Sequence, residues 1–402
     1  MDRKELRRVL ENSKSTIIDL RDSNSFNGWK LNGEVLEGHI KGALNISANW
    51  IDKESLLISE ENIVILCYSK DEELTKGFEI FKDMKNLDYF DMRELTLEDK
   101  DLVEYYKNYK LLVPPEFLIE NKDVKIFHVG FGKEESTSRK GHIKGSVYID
   151  TDEVEPPPLW RIGNKEILEK ISEKYGLYYK DKVVITAWDQ MAAFRVAFIF
   201  EYMGIENVMV LNGGLSYFEK MGYKLSKEKS IVIEENLKTE SYKNCSLNKE
   251  NSKNDDGFGV QIPNKKEIVI KTEEVRANLE KEDFILVDNR TYEEYTGEIS
   301  GYSYHDKAAR IPKAKFGHAG FLGANSLDYY RNIDGTMKSK EDIEHLWREI
   351  DLNKKLVFMC GSGWRASEVY FYAKVLGYEN IGVYSDGWIG WSSDEKNPTE
   401  KG

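Results

Sequence analysis

The pentapeptide GHIKG occurs twice in this chain, at Gly38–Gly42 and at Gly141–Gly145, 103 residues apart. The stretches around it, LEGHIKGALNIS (Leu36–Ser47) and RKGHIKGSVYID (Arg139–Asp150), run in step, and a weaker third copy, AARIPKAKF, spans Ala308–Phe316. A short apolar run lies before each copy: TIIDLRD (Thr16–Asp22), KIFHVG (Lys125–Gly130) and FILVDNR (Phe284–Arg290). Another follows each: IVILCYS (Ile63–Ser69), VVITAWD (Val183–Asp189) and LVFMCGS (Leu356–Ser362). Helical stretches, RKELRRVLE, PEFLIENK and TEEVRANLEK, precede the units. A period near 100 residues is that of repeated domains, not of a solenoid. Short continuous apolar runs read as strands buried on both faces. The predicted fold is therefore α/β, with three tandem units, each a mostly parallel sheet flanked by helices.

Predicted boundaries are 1–112, 113–226 and 266–402, with a polar linker over 227–265. The linker contains a stretch rich in Asn, Lys, Ser, Asp and Gly between Thr239 and Glu267. The last residues, SSDEKNPTEKG, are expected to fray.

The formal charge of −13, from 58 basic and 71 acidic residues, argues against nucleic acid as a partner, because phosphate binding needs a basic face. No run of 18 apolar residues exists, so neither a membrane helix nor a membrane partner is expected. The N-terminus lacks the apolar core of a secretory signal, and a cytoplasmic location is expected. The three cysteines, Cys67, Cys245 and Cys360, have neither the spacing of a zinc site nor the density of a disulfide scaffold. No metal and no cofactor are expected. The ordinary role of such a cysteine is that of a small buried hydrophobe.

Cys360 opens a richer stretch, CGSGWRAS, between the run LVFM and a 3.6-periodic segment that stops at Gly377. The thiolate is the reactive form of cysteine. A helix N-terminus offers unpaired N–H groups and partial positive charge, and a loop that turns its N–H groups inward forms an anion-binding nest. Gly361 and Gly363 allow such a curl and leave room for an incoming atom. Arg365 adds a fixed charge at the loop mouth, Ser362 a hydroxyl, and Trp364 a wall. The plainer alternative is a buried cysteine before a glycine-rich helix entry, with Arg365 paired to Glu368 on the surface and Arg290 paired to Glu293 or Glu294. His39 and His142 sit in the GHIKG turns, where imidazole usually bonds backbone. His318 and His345 have no Cys or Asp at metal spacing.

The GHIKG turn, the D-x-R strand end, the cysteine loop entering a helix and DGWIGW (Asp386–Trp391) together resemble the rhodanese family. The loop CGSGWRA most resembles that of three-domain rhodanese-type sulfurtransferases, whose last domain alone is active. The resemblance implies a thiosulfate sulfurtransferase working by double displacement through a persulfide on Cys360. It makes Cys360 and Arg365 catalytic, and Gly361, Ser362, Gly363, Trp364, Ala366 and Arg290 substrate-binding, with Asp288 bracing its turn. The implied partners are a small-molecule sulfur donor and a cyanide or thiol acceptor. A persulfide relay to a protein acceptor and a 3-mercaptopyruvate sulfurtransferase are the alternatives. Mercaptopyruvate-using relatives carry a further arginine where this chain reads TYEEYTG, and Arg310 is the conceivable substitute. Cysteine phosphatases of related fold need C-x5-R, whereas four residues separate Cys360 from Arg365, and Met359 stands where those enzymes have His. The matching loop of the first unit, CYSKDEE (Cys67–Glu73), has no glycine and three carboxylates. In the second unit Ala187 stands opposite Cys360. Both units are expected to be inactive.

Overall fold

The computed structural model describes residues 1–12, 15–51, 63–134, 140–230 and 257–402. Cys245 and the centre of the expected linker lie outside the described residues. Three parallel sheets follow the three units. The first orders β1 (Ser15–Asp19), β2 (Leu44–Asn45), β3 (Ile63–Tyr68) and β4 (Leu87–Asp91) as β2-β1-β3-β4. The second orders β5 (Leu112–Val113), β6 (Lys125–Gly130), β7 (Val147–Asp150), β8 (Lys182–Ala187) and β9 (Asn207–Leu211) as β5-β9-β8-β6-β7. The third repeats that order with β10 (Val269–Ile270), β11 (Phe284–Asp288), β12 (Lys315–Phe316), β13 (Lys355–Met359) and β14 (Ile381–Tyr384), as β10-β14-β13-β11-β12. The six apolar runs are β1, β6, β11, β3, β8 and β13, the strands at the centre of each sheet, where both faces are buried.

A helix leaves each of β3, β8 and β13: α1 (Asp71–Phe81), α2 (Gln190–Met203) and α3 (Trp364–Leu376). α1 is amphipathic, but α2 and α3 are buried almost along their whole length. The reason is that α2 and α3 pack on each other. Phe194 meets the rings of Phe371 and Tyr372, and Phe198 meets Tyr370. This face joins the second unit to the third and brings the carboxyl ends of β8 and β13 together. Unit one docks at the same junction, where Asn212 Nδ2 donates to Asn24 Oδ1 at 2.9 Å and Met337 N–H donates to Asn212 Oδ1 at 3.0 Å. Among the described residues no helix is long and apolar enough to cross a membrane.

Two expectations change. Residues 257–265, placed in the linker, pack against the second unit. Phe258 and Ile262 are each 2% exposed, and Phe258 carbonyl accepts the N–H of Tyr179 at 3.0 Å. The end of the chain is pinned rather than frayed. Arg310 and Glu400 exchange two backbone hydrogen bonds of 2.9 and 3.1 Å, and Gly402 N–H donates to Thr296 carbonyl at 3.0 Å. A polar segment with its amides paired and an Arg310–Glu400 ion pair at 2.9 Å has no cause to fray.

Strand register sharpens the match between the units. Asp19 pairs with Cys67, His128 with Thr186 and Asp288 with Met359. Their other neighbours, Asn45, Tyr148 and Phe316, also correspond. Cys67 is therefore the counterpart of Met359, one residue short of the loop. Tyr68 and Ala187 stand where the third unit has Cys360. One residue along a strand reverses the direction of the side chain, so Cys67 points into the core and is fully buried. Burial pushes its thiol up, and Asp19 adds to the effect. The three carboxylates of the sequence do not set this shift. Asp71 and Glu72 are exposed, and Glu73 acts on the loop instead, with its carboxylate accepting the N–H groups of Ser69 and Lys70 at 2.9 and 3.0 Å.

Candidate active site

Cys360 follows β13 directly and is 2% exposed. The segment DGWIGW holds its loop from behind. Trp388 N–H donates to Cys360 carbonyl at 2.8 Å and Ile389 N–H to Gly361 carbonyl at 3.0 Å. With those carbonyls turned away, N–H groups are left for the inside of the curl. Gly363 N–H donates to Cys360 Sγ at 3.2 Å. Gly363 has φ of 94°, in the left-handed region that a side chain would strain. Gly361 has a different reason. Its backbone angle is not among the left-handed ones, but a Cβ there would stand 2.0 Å from the Tyr302 hydroxyl. Glycine lets that tyrosine approach the loop.

Arg365 reaches the floor of the pocket rather than its mouth. It is 1% exposed. Its guanidinium forks onto Glu294 at 2.8 and 2.9 Å and donates to Tyr302 OH at 2.6 Å. Burial works against the Glu294 charge, yet the Arg365 fork holds that carboxyl below its usual range. Burial also pushes the Tyr302 hydroxyl up, against the pull of Arg365, so Tyr302 keeps its proton and can donate it. Glu368 does not pair with Arg365; it takes Arg331, at 2.6 and 2.5 Å.

Arg290 also pairs differently from either expectation. It binds Asp288 through two nitrogens, at 2.9 and 2.7 Å, donates to Ala309 carbonyl at 3.0 Å, and lies over the Trp388 ring. Asp288 is thus a brace. Arg290 Nη1 is buried and has no partner among the described residues. Arg310 is engaged by Glu400 and the Tyr295 ring.

A cavity of about 510 Å³ opens over the loop. Of the residues singled out in the sequence, Cys360, Ser362, Trp364 and Arg365 line it; Gly361, Gly363, Ala366 and Arg290 lie behind that lining. The rest of the wall was not legible in the sequence. Tyr302, Ser303 and Tyr304 come from the polar connection after β11, and Phe131, Trp160, Asp189 and Met191 come from the second unit. Trp160 packs against Tyr304. The only sequence signal was large aromatic residues in polar, proline- or glycine-flanked segments, GYSYHD and PPPLW, where a core strand would not place them. Among the described residues no cluster of three His, Cys, Asp or Glu could hold a metal ion.

Three parallel α/β units, with one cysteine loop opening on a cavity between the second and third, define a tandem rhodanese architecture. The family model of the rhodanese-like domain matches residues 2–95, 115–221 and 271–394. The chain belongs to the rhodanese family and is a sulfurtransferase by kinship. Thiosulfate sulfurtransferase YnjE of Escherichia coli (strain K12) is 31% identical over 417 residues, spanning 98% of this chain and 90% of that protein. The human 3-mercaptopyruvate sulfurtransferase is 28% identical over 260 residues, 62% of this chain and 76% of that protein. Among solved structures, the anaerobic ergothioneine biosynthesis enzyme from Chlorobium limicola, bound to its natural substrate trimethyl histidine, is 31% identical with a TM-score of 0.86, covering 100% of this chain and 99% of that one. The crystal structure of YnjE gives 29% and 0.84, covering 100% and 96%.

Proposed function

We propose that this chain carries sulfane sulfur as a persulfide on Cys360, with its first two domains inactive in the chemistry. The observation that carries this reading is the Gly363 N–H aimed at Cys360 Sγ from a helix entrance, on a cavity open to small molecules. The Cys360 thiolate attacks the outer sulfur of a thiosulfate-type donor, the S–S bond of the donor breaks, and sulfite leaves with the bonding pair. An acceptor nucleophile, cyanide or a thiolate, then attacks the terminal sulfur, and the Cys360 thiolate leaves. Kinship with YnjE supports thiosulfate as donor. Arg365 and the strand-end Arg290 are each tied to a carboxylate, and Arg290 lies off the cavity wall, so a sulfonate is held by loop N–H groups and the Ser362 hydroxyl.

The cavity favours a second reading of the acceptor. Its wall carries the rings of Phe131, Trp160, Tyr304 and Trp364, and Asp189, whose carboxylate also caps α2. Aromatic faces with a carboxylate suit a small organic cation. The trimethyl histidine of the Chlorobium enzyme carries such a cationic group, a quaternary ammonium. Transfer to an imidazole carbon forms a C–S bond, breaks the persulfide S–S bond, returns the Cys360 thiolate and releases the carbon's proton to a base. A 3-mercaptopyruvate reaction is disfavoured, since Arg310 is spent on Glu400 and lies off the cavity wall.

Intact mass after thiosulfate tests the central step. The wild type gains one sulfur atom and Cys360→Ala gains none; equal gains in both proteins would overturn the reading. The loaded protein is then offered cyanide, a small thiol and trimethyl histidine. Fastest loss to trimethyl histidine supports the cationic acceptor, and fastest loss to cyanide or thiol supports the first reading.

A further inference from the structure

The second domain does more than wall the cavity. Glu155 and Arg195 are 1% and 0% exposed, and both belong to that domain. Glu155 follows the short helix Thr151–Val154, and Arg195 lies in α2. Arg195 donates to Glu155 through Nε at 2.8 Å and Nη2 at 2.5 Å. Among the described residues, every other side-chain hydrogen bond of the pair is with the third domain. Trp364 Nε1–H donates to Glu155 Oε2 at 2.8 Å. Arg195 Nη1 donates to Ser367 Oγ at 3.2 Å, and Nη2 to Ser385 Oγ at 2.7 Å.

From Ser367 the path runs to the sulfur. Ser367 Oγ donates to Gly363 carbonyl at 2.7 Å, and Gly363 N–H donates to Cys360 Sγ at 3.2 Å. The Arg195 guanidinium also backs onto Gly363, where a Cβ would stand 2.6 Å from Nη1. The glycine that directs an N–H at the sulfur is thus held at its carbonyl by Ser367, which the second domain's Arg195 itself holds, and its Cα is closely approached by that same arginine.

We propose that the Glu155–Arg195 pair is a positioning device, which aims Gly363 N–H at the Cys360 sulfur through Ser367 and sets the Trp364 wall. This rests on the reading that Cys360 carries sulfur. The second domain, without a thiol of its own, is then a working half of the third domain's site. The pair is fully buried and its remaining side-chain hydrogen bonds cross the domain boundary, where a salt bridge retained only for stability gains little over apolar packing.

The test uses the full chain and three variants: Ser367→Ala, Arg195→Met, and the double Glu155→Gln/Arg195→Met, which leaves no unpaired buried charge. The readouts are the rate of Cys360 alkylation by iodoacetamide, followed by mass, and kcat and KM for sulfur loading from thiosulfate. Loss of one aimed hydrogen bond corresponds to about a tenfold slower alkylation and loading. The expected result is that fall in Ser367→Ala, with KM changed less than about twofold, and a fall at least as large in the double variant. Melting temperature is measured alongside. Wild-type rates in Ser367→Ala and the double variant overturn the proposal. So does a loss that only tracks the unfolded fraction. If the wild type itself gains no sulfur from thiosulfate, the reading beneath has failed instead, and the alkylation rates still decide whether the pair positions the thiol.

Discussion

In the first domain the loop N–H groups of Ser69 and Lys70 both donate to the Glu73 carboxylate. In the third, Gly363 N–H donates to Cys360 Sγ. The two loops leave equivalent strands and enter equivalent helices, so both inherit the pull of a strand-to-helix turn on negative charge. One is filled by a carboxylate of its own helix, which cannot leave. The other holds an atom that can exchange a bond. Between them stands the second domain, whose loop has no thiol, with Ala187 at that position and the Asp189 carboxylate capping α2. The turn is architecture, and its occupant decides whether it can do chemistry.

Four measurements test this contrast. The largest effect is expected where the third loop depends on distant support. Glu294→Ala strands the buried Arg365 guanidinium and lowers stability by about 3–5 kcal/mol, read by denaturant unfolding. A loss below about 1 kcal/mol would mean that Arg365 finds another partner.

Next is the strand position shared by Asp19, His128 and Asp288. Asp19 and Asp288 each hold an arginine. His128 is buried, with no partner on either ring nitrogen among the described residues, and burial depresses its pKa from 6.5 to about 4. The unfolded chain therefore binds the proton more tightly. Stability is full above pH 6.5 and falls as pH drops toward 4. The loss is on the order of 3 kcal/mol. A His128→Phe variant should flatten the profile over that window; an unchanged slope would remove His128 as its cause.

A smaller effect is expected at the junction of the first and third domains. There Lys107 pairs with Glu379, both well exposed. Lys107→Ala should cost less than about 1 kcal/mol, and a larger loss would show that the first domain is held by surface charge.

The smallest effect is the most pointed. Tyr68→Cys puts a thiol at the position equivalent to Cys360. With the loop N–H groups already given to Glu73, it should gain no sulfur beyond the wild type when treated with thiosulfate. A second sulfur atom in the intact mass would show that position alone suffices.

Local pattern revealed much of this molecule. The apolar runs mark the central strands, because a strand buried on both faces has to be apolar. The loop from Cys360 to Ala366 stands out through its context, a thiol, two glycines and an arginine at a helix entrance inside the third copy of a repeated unit. The pairing of charges did not. Arg365 could have taken Glu368, three residues on, yet it takes Glu294, while Glu368 takes Arg331. Arg290 takes Asp288 rather than either glutamate. A buried guanidinium takes the carboxylate that packing puts in its plane, whatever its distance in sequence.

By itself, then, the sequence determined three α/β units, a single loop fit for a nucleophilic thiol, and the family that combines them. Those properties follow from residue type and spacing along one strand and one helix. Tertiary structure decided that Cys67 is a core residue, that Arg365 is braced below the loop, and that the second domain supplies Glu155, Arg195 and part of the cavity wall. These depend on register and on the packing of α2 against α3, which join residues far apart in the chain through contacts a few ångströms long.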